Sequence, residues 1–315
     1  MSDGALDFIQ SMLMEWASQN DVITKMTGSM EHIQLIEEGP EKIDLLLIAP
    51  ATANTLSKIA SGISDTPVTI LVSSALGSGI PVVAAPSMHS SLWSNSIVKA
   101  NLTRLRKIKV DILAPQISEG KAKITSTEVI VDAVIRSLTP HDLSGIRVFV
   151  TAGPTHENID PIRVLSNRSS GKMGFALAKE AWRRGADVTL VSGPTTLSPP
   201  DSIDYSTIVT TRELYDVVKS KLNSKQYDIF LAAAAVADFR PVNTINEKMS
   251  SRISQPFDMK FETTEKVIHI VKKIQRDIFL VPFKIEWNLN HAKMVERAKI
   301  IMHETDADLV AVNDA

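Results

Sequence analysis

Short apolar runs alternate with amphipathic segments along the first half of the chain. The apolar runs predict strands, and the segments between them carry apolar positions at helical spacing and predict helices. Strands are predicted at DLLLIAP (44–50), VTILVSS (68–74), IPVVAAP (80–86) and VDILAP (110–115), and helices at TANTLSKIASG (52–62), NSIVKANLTRLRKI (95–108) and TSTEVIVDAVIRSL (125–138). Nearly continuous apolar strands separated by helices are typical of a parallel sheet that is covered on both faces.

A second series of the same kind follows TPHDLSG (139–145), whose Pro, Gly and polar residues predict a linker. Its predicted strands are IRVFVTAG (146–153), DVTLVSGP (187–194), YDIFLAAAAVADF (227–239), IFLVPFKIE (278–286) and ADLVAVNDA (307–315). The segment SGKMGFALAKEAWRRG (170–185) predicts a helix whose apolar face includes Met173, Phe175, Leu177 and Trp182. The pattern therefore predicts an α/β protein with two three-layer parallel-sheet domains, residues 1–140 and 141–315.

Composition narrows the class of protein. The 315 residues are 44% hydrophobic and 22% charged with a net charge of −2, a balance typical of soluble domains that gives no cationic field for nucleic acid or an anionic membrane. The apolar runs are too short to span a bilayer, and MSDGALDFIQ lacks the basic region of a signal peptide. The absence of cysteine excludes disulfides and thiolate metal sites and fits a cytoplasmic location.

The segment RVLSNRSSGKMG (163–174) concentrates hydrogen-bond donors between a predicted strand and a predicted helix. Ligands of open parallel sheets bind beyond the carboxyl ends of the strands, and the backbone amides at a helix start favour an anion. Four residues at that position suit a phosphate: Ser169, Ser170, Gly171 and Lys172. The segment is not a Walker loop, because Met173 stands where Ser or Thr would bind magnesium and Ser166 where the first Gly belongs.

The same segment also fits an ordinary helix start with a serine-rich entry. Asp238 and Lys248 favour the binding-site interpretation, since both lie near loops at the ends of predicted strands of the same domain. An acid that can hold Mg²⁺ and a lysine that can meet a triphosphate make chemical sense together. Each residue alone is more often a solvated charge.

The second half of the chain, from about residue 146 to 315, resembles phosphopantothenate–cysteine ligase. The resemblance rests on the run from Val150 to Thr195, on AAAVADFRP (233–241), on a Glu-Lys pair ending ten residues after Asp238, and on ADLVAVND (307–314). The first half resembles the flavoprotein phosphopantothenoylcysteine decarboxylase, which is fused to this ligase in the bifunctional coenzyme A biosynthesis family. Its motifs are EHIQL (31–35), PATANTLSKIASGI (50–63) and PSMHSSLW (86–93).

For the second domain the resemblance implies a Rossmann-like fold and a two-step ligation. Phosphopantothenate would attack the α-phosphate of CTP, giving an acyl-cytidylate and pyrophosphate, and the cysteine amine would then displace CMP. The implied site consists of Asn167 at the acyl intermediate, Lys248 at the triphosphate, Asp238 at the nucleotide and at Mg²⁺, Ala234 beside the intermediate, Phe283 near the nucleotide, and Gly153, Ser169, Ser170, Gly171 and Lys172 around the nucleotide and substrate.

For the first domain the resemblance implies a flavodoxin-like fold that uses FMN to decarboxylate phosphopantothenoylcysteine. It assigns His32 as the active-site histidine, Thr52, Ala53, Asn54, Thr55 and Ser87 as FMN contacts, and His89 to the substrate carboxylate, where the family more often has Asn. Taken without the family, His32 fits a helix-start histidine and residues 52–55 a helix N-cap. The flap region APQISEGKAKITS (114–126) lacks the cysteine that usually serves the family as an acid.

The family resemblance also predicts a homo-oligomer that binds only small-molecule substrates. It predicts truncation at both ends, because the family's opening strand and flavin-phosphate loop would precede Met1 and the chain stops directly after a predicted strand. One alternative is a non-catalytic member that acts as an assembly or regulatory partner. A nicotinamide dehydrogenase would need G-x-G-x-x-G after a strand, and the sequence has none. No motif separates CTP from ATP.

Overall fold

The computed structural model describes residues 1–27, 29–37, 39–40, 42–200, 203–250 and 258–314. They form two compact units, Met1–Thr139 and Pro140–Ala315. Each unit is built on a parallel sheet with helices packed on both faces. The predicted α/β class is therefore confirmed.

Within its described residues the first unit contains eight helices and six strands. The helices are α1 (Asp3–Leu6), α2 (Ser11–Ser18), α3 (Glu31–Ile36), α4 (Ala53–Ala60), α5 (Pro67–Gly77), α6 (Ser90–Trp93), α7 (Ser96–Lys107) and α8 (Thr127–Leu138). The strands are β1 (Leu46–Ala51), β2 (Val82–Pro86), β3 (Met88–His89), β4 (Val110–Ile112), β5 (Gln116–Ser118) and β6 (Lys121–Lys123).

The parallel sheet of this unit has the order β1-β2-β4. Every residue of β2 is buried, and its side chains alternate between the two faces. Val82 and Ala84 join the core formed with α4, α5 and α7, whereas Val83 and Ala85 pack with Ala133 of α8. The predicted flap region forms the hairpin of β5 and β6, and β6 pairs with β3 to complete a small antiparallel sheet.

The prediction of a strand at residues 68–74 is wrong, because this segment lies inside helix α5. The helix begins with a reciprocal cap, in which the Thr66 hydroxyl accepts from the Thr69 amide and the Thr69 hydroxyl accepts from the Thr66 amide, and Pro67 follows the cap. The run of β-branched residues suggested a strand, but the capping residues and the continuation to Gly77 favour a helix.

Among its described residues the second unit contains ten strands and four helices. The strands are β7 (Arg147–Ala152), β8 (His156–Asn158), β9 (Val164–Ser166), β10 (Asp187–Ser192), β11 (Asp204–Thr207), β12 (Ile229–Ala232), β13 (Phe239–Pro241), β14 (Phe261–Thr263), β15 (Phe279–Glu286) and β16 (Ala311–Asp314). The helices are α9 (Lys172–Arg183), α10 (Thr211–Ser224), α11 (Ile268–Ile274) and α12 (His291–Thr305).

The six-stranded parallel sheet has the order β11-β10-β7-β12-β15-β16. Numbered within the sheet, this is the 3-2-1-4-5-6 order of dinucleotide-binding folds. The chain reverses direction across the sheet between β7 and β12, and the crevice at the carboxyl ends of those two strands is where such folds bind ligands. The expected Rossmann-like architecture is therefore present, and it predicts a ligand site at this edge of the sheet.

An antiparallel hairpin of β8 and β9 is inserted between β7 and α9. A second antiparallel pair, β13 and β14, follows β12, and β13 lies beside β8. The predicted strand at 227–239 is consequently regular only from Ile229 to Ala232, and the chain then crosses the sheet edge.

Helix α9 packs on β7 through small residues. Its buried positions are Gly174, Phe175, Ala178 and Ala181, whereas Met173, predicted on the apolar face, is exposed. A Cβ at Gly174 would lie 2.5 Å from the Cβ of Ala152, so only glycine allows this approach of helix to strand. The close packing brings the first turn of α9 to the carboxyl end of β7.

Candidate active site

The segment after β12 is hydrogen-bonded directly to the segment after β7. Pro154 and Ala235 form an isolated parallel bridge, in which the Ala235 amide donates to the Gly153 carbonyl at 2.8 Å. The amides of Ala233 and Ala234 donate to the carbonyl and hydroxyl of Thr151. The backbone of Ala234 is therefore held at the sheet edge between β7 and β12.

Glycines line this edge because other residues would not fit. Gly153 and Gly171 have φ values of +70° and +76°, and a Cβ on Gly171 would lie 3.3 Å from the Cα of Gly153 and 2.8 Å from Cγ2 of Thr195. A Cβ on Gly193 would lie 1.7 Å from the Pro154 carbonyl oxygen. Three backbone segments thus meet closely at the start of α9.

Asn167 follows β9 and crosses to the same edge. Its side-chain Nδ2 donates to the Val236 carbonyl at 2.8 Å, although the two residues are 69 positions apart in the sequence. The adjacent Ser166 hydroxyl donates to the Thr155 carbonyl at 2.8 Å. The structure therefore brings Asn167 to the edge where Gly153, Gly171 and the backbone of Ala234 lie.

The serines before α9 support its first turn. The Ser169 hydroxyl accepts from the Gly171 amide and the Ser170 hydroxyl accepts from the Lys172 amide, at 3.3 and 3.5 Å. Lys172 is exposed and stands at the first position of the twelve-residue helix. The first amides of a helix have no partners within the helix, which makes this position suitable for an anion.

Asp238 and Phe283 lie at the same end of the sheet but do not contact Asn167 among the described contacts. Oδ1 of Asp238 accepts from Lys266 Nζ at 2.5 Å, and both side chains are more than half exposed. Phe283 is one residue beyond Pro282, which pairs with the last residue of β12, and it is half-buried. Both residues therefore lie at the carboxyl edge of the sheet, and no described contact connects either of them to Asn167.

Lys248 is exposed, and its segment lies against the tip of the β8–β9 hairpin. The Ile245 amide donates to the Ile159 carbonyl at 3.0 Å, and the Met249 amide donates to Oδ2 of Asp160 at 3.1 Å. Asn167 emerges from the other end of the same hairpin. Asn167 and Lys248 are therefore connected through this hairpin, and no direct contact joins them in the part of the chain that the structure describes.

Asp160 is a buried carboxylate that sequence reasoning missed. Burial acts to raise the pKa of Asp160, but hydrogen bonds from the amides of Ile162, Arg163 and Met249 and from the Arg163 guanidinium outweigh it and lower the pKa to about 2. The Asp-Pro dipeptide at 160–161 was the available signal, since it favours a turn.

In the first unit, the residues predicted to contact FMN lie at the carboxyl ends of β1 and β2. Thr52 caps α4 by accepting from the Thr55 amide at 3.3 Å, and the Ser87 amide donates to the Ala51 carbonyl at 3.0 Å. Ala53 is half-buried in the first turn, and Asn54 beside it is exposed. The N-cap interpretation of residues 52–55 and a ligand site are thus compatible, because the cap uses only part of their polar surface.

The two predicted histidines have different surroundings. His32 lies in the first turn of α3, and its buried Nδ1 has no hydrogen-bond partner among the described residues. His89 is exposed and caps α6: its Nδ1 accepts from the Ser91 amide at 3.3 Å and lies 2.9 Å from the Ser91 hydroxyl. An unpartnered buried nitrogen is costly, so His32 is the better candidate for contact with a ligand.

Neither a membrane span nor a metal cluster is present among the described residues. None of the described helices is long and apolar enough to cross a membrane. No group of three or more His, Cys, Asp or Glu side chains in the described ranges is arranged to hold a metal ion.

Comparison with known families matches both units. The family model described as Flavoprotein matches residues 1–139, and the DNA/pantothenate metabolism flavoprotein C-terminal domain matches residues 143–315. The alignment with the Coenzyme A biosynthesis bifunctional protein CoaBC of Thermococcus kodakarensis has 45% identity and covers 99% of this chain and 77% of the relative. The chain spans about three quarters of that relative's length.

A second relative and one solved structure carry the same name. The protein of Methanocaldococcus jannaschii is 34% identical over 96% of this chain and 72% of its own length. The crystal structure of the C-terminal domain of a Coenzyme A biosynthesis bifunctional protein CoaBC is 32% identical, covers 54% of this chain and 78% of that chain, and has a TM-score of 0.46.

Proposed function

Because the chain belongs to the family of bifunctional coenzyme A biosynthesis proteins, we propose that it catalyses two consecutive reactions in that pathway. The second unit ligates cysteine to phosphopantothenate with CTP. The first unit decarboxylates the product, phosphopantothenoylcysteine, to phosphopantetheine with FMN. The observation that carries the proposal is the meeting of Asn167, Gly153, Gly171 and the Ala234 backbone at the switch point of the six-stranded sheet.

The ligation needs an activated acyl group, because a free carboxylate is a poor electrophile. A carboxylate oxygen of phosphopantothenate forms a bond to the α-phosphorus of CTP, the bond from that phosphorus to the bridging oxygen breaks, and pyrophosphate leaves. The cysteine amine then bonds to the acyl carbon and loses a proton, and CMP leaves. Negative charge grows on phosphoryl oxygens first and on the acyl oxygen second, so donors held in place before reaction stabilise both steps.

The described residues provide such donors. The amides of the first turn of α9, together with Lys172, suit the phosphates. Asn167 keeps a second amide hydrogen for the acyl group, and the Ala234 backbone lies beside the intermediate. Lys248, on the far end of the hairpin, supplies a cation for the triphosphate. Asp238 and Phe283 contact the nucleotide at the outer part of the edge.

Magnesium at Asp238 fits less well. Oδ1 of Asp238 already accepts from Lys266 Nζ at 2.5 Å, so a metal ion at this oxygen would have to displace the lysine. We therefore assign Asp238 to the nucleotide and assign no metal to it.

For the first unit, the residues present fit FMN. Exposed Thr52 and Asn54 stand at the end of β1 beside Ser87, and the unpartnered Nδ1 of His32 is available for a hydrogen bond. When bound, FMN supplies the two-electron oxidation of the substrate thiol that makes loss of carbon dioxide feasible. His32 would position or exchange a proton with the substrate, and His89 would hold its carboxylate.

The test is pyrophosphate release from phosphopantothenate and CTP by the wild type and by Lys248→Ala. We expect CTP-dependent release that falls about 100-fold or more in the variant, the size of effect seen when one fixed donor to a developing charge is removed. Lys225→Ala is the matched control, because this lysine of the same unit is paired with Asp187 at 2.7 Å. Equal rates in wild type and Lys248→Ala would remove Lys248 from the site.

Absorbance tests the first unit separately. The purified chain should show flavin absorbance, or acquire it when FMN is added. A chain without pyrophosphate release and without flavin binding would instead be a non-catalytic member of the family.

A further inference from the structure

The backbone of Met249 is held on both sides of the residue. Its amide donates to Oδ2 of Asp160 at 3.1 Å, and its carbonyl accepts from Nη1 of Arg163 at 3.3 Å. Asp160 and Arg163 also form an ion pair with each other. Since Met249 directly follows Lys248, this arrangement fixes the backbone from which the lysine side chain extends.

The two oxygens of Asp160 have different partners. Oδ1 accepts from the amides of Ile162 and Arg163 at 2.7 and 2.6 Å, and so closes the turn at the tip of the β8–β9 hairpin. Oδ2 accepts from the Arg163 guanidinium and from the Met249 amide, 89 positions away in the sequence. One oxygen therefore shapes the turn, and the other attaches the remote segment to it.

Burial makes this attachment strong. The side chain of Asp160 has no exposed surface, and a buried carboxylate is stable only when its oxygens are hydrogen-bonded. Its lowered pKa keeps it ionised at neutral pH. Replacing Oδ2 by a donor group would leave the Met249 amide without its acceptor.

The β8–β9 hairpin connects the attached Lys248 segment with Asn167. Asn158 pairs with Val164 near the tip, and His156 pairs with Ser166 near the base, next to Asn167. The Ile245 amide bond to the Ile159 carbonyl gives the remote segment a second contact with the tip. The hairpin is thus a short spacer with the Lys248 segment at one end and Asn167 at the other.

We propose that Asp160 is a positioning residue for the ligase, which fixes the Lys248 segment to the β8–β9 hairpin and so sets the placement of Lys248 relative to Asn167. The inference rests on the proposed function, because it takes the role of Lys248 at the CTP triphosphate from it. The side chain of Asp160 is fully buried, so we place it outside the contacts with substrate. Its effect passes through the backbone of Met249.

The variant Asp160→Asn distinguishes the roles of the two carboxylate oxygens, because it replaces only one of them. The asparagine keeps one acceptor for the two turn amides and presents an NH₂ group where Oδ2 met the Met249 amide. We expect hydrogen exchange of the Met249 amide to become at least about tenfold faster, the change for a loss of about 1.4 kcal/mol. Asp142→Asn is the matched control, because Asp142 also pairs with an arginine, Arg184, on an exposed part of the same unit.

Hydrogen exchange requires no substrate, so it tests the attachment of the Lys248 segment independently of activity. Absence of pyrophosphate release in the wild type would contradict the proposed function and would leave the exchange test of the attachment valid. Unchanged exchange of Met249 in Asp160→Asn would overturn the inference. If the variant does not fold, the wild type decides: an unprotected Met249 amide at neutral pH would overturn it as well.

Kinetics test whether the attachment acts through Lys248. Asp160→Asn should raise KM for CTP about tenfold to 100-fold, because small displacements of a binding group have effects of that size. In a Lys248→Ala background the same change should have little further effect on KM for CTP, since coupled residues are not additive. Additive effects would show that Asp160 acts on the fold in general, and would refute the positioning role.

Discussion

Thr155 joins four segments of the second unit through one buried residue. Its amide donates to the Ala235 carbonyl, its carbonyl accepts from the Ser166 hydroxyl, and its own hydroxyl accepts from the Ala237 amide at 2.8 Å and shares a hydrogen bond with the Thr211 hydroxyl. The chain after β12, the β8–β9 hairpin and α10 are thus all hydrogen-bonded to the segment that follows β7. Sequence inspection could not single it out, because each partner is distant in the chain.

Gly171 makes a quantitative prediction at the start of α9. In Gly171→Ala the residue keeps an unfavourable positive φ, at a cost of about 1–3 kcal/mol, and its Cβ meets Cγ2 of Thr195 and the Cα of Gly153. We therefore expect a loss of stability together with a fall in pyrophosphate release, because the helix start must move away from Gly153. Urea denaturation and the release assay measure the two effects.

Gly145→Ala is the control for that change. Gly145 has a φ of +82° but nothing within 4 Å of its Cβ position, so its replacement imposes the backbone strain without the contact. It should lower stability and leave kcat/KM unchanged. Adding Thr195→Ser to Gly171→Ala removes the Cγ2 contact and should recover part of the activity. Equal losses of kcat/KM in both alanine variants would contradict the steric account.

Helix α5 owes its start to one reciprocal cap. Thr66→Ala removes the hydroxyl that accepts from the Thr69 amide at 3.2 Å, and we expect the first unit to lose about 0.5–2 kcal/mol of unfolding free energy. Thr66→Ser should retain most of it, since serine keeps the oxygen. Thr103→Ala, on the exposed face of α7, should be nearly neutral. Urea denaturation followed by hydrogen exchange of first-unit peptides would measure the series, and a neutral Thr66→Ala would rule out the cap as the cause.

The same helix shows where hydrophobic patterning is insufficient. An apolar run such as residues 68–74 lacks a distinguishing period, and the local signal lay in the capping threonines and Pro67. By contrast, α4, α7 and α8 carry clear amphipathic patterns and were predicted with ends that differ by a few residues from those in the structure.

The candidate site was predictable where a motif is continuous in the chain and not where contacts are remote. Asn167 and the residues from Ser169 to Lys172 follow from one motif. The end of β12 at Ala232 does not, because the next residues bond to Thr151 and Gly153 instead of continuing a ladder. The attachment of residues 245–249 to Asp160 likewise depends on the folded hairpin.

The two reactions proposed for the chain are consecutive. The ligation forms an amide between phosphopantothenate and cysteine, and the decarboxylation acts on the carboxylate that this cysteine brings. The product of the second unit is therefore the substrate of the first. Each unit has its own sheet and its own core clusters, so neither set of site residues depends on the other for its local packing.

This independence predicts that single changes inactivate one reaction at a time. His32→Ala removes the imidazole whose Nδ1 is buried in the first unit and should abolish release of carbon dioxide from phosphopantothenoylcysteine, while pyrophosphate release from CTP and phosphopantothenate stays at the wild-type rate. Lys248→Ala should give the opposite pattern in the same two assays, because the role we propose for its cation is at the triphosphate. A mixture of the two variants should restore the complete conversion of phosphopantothenate to phosphopantetheine, since the intermediate can pass through solution. Loss of pyrophosphate release in His32→Ala would contradict the assignment of one reaction to each unit.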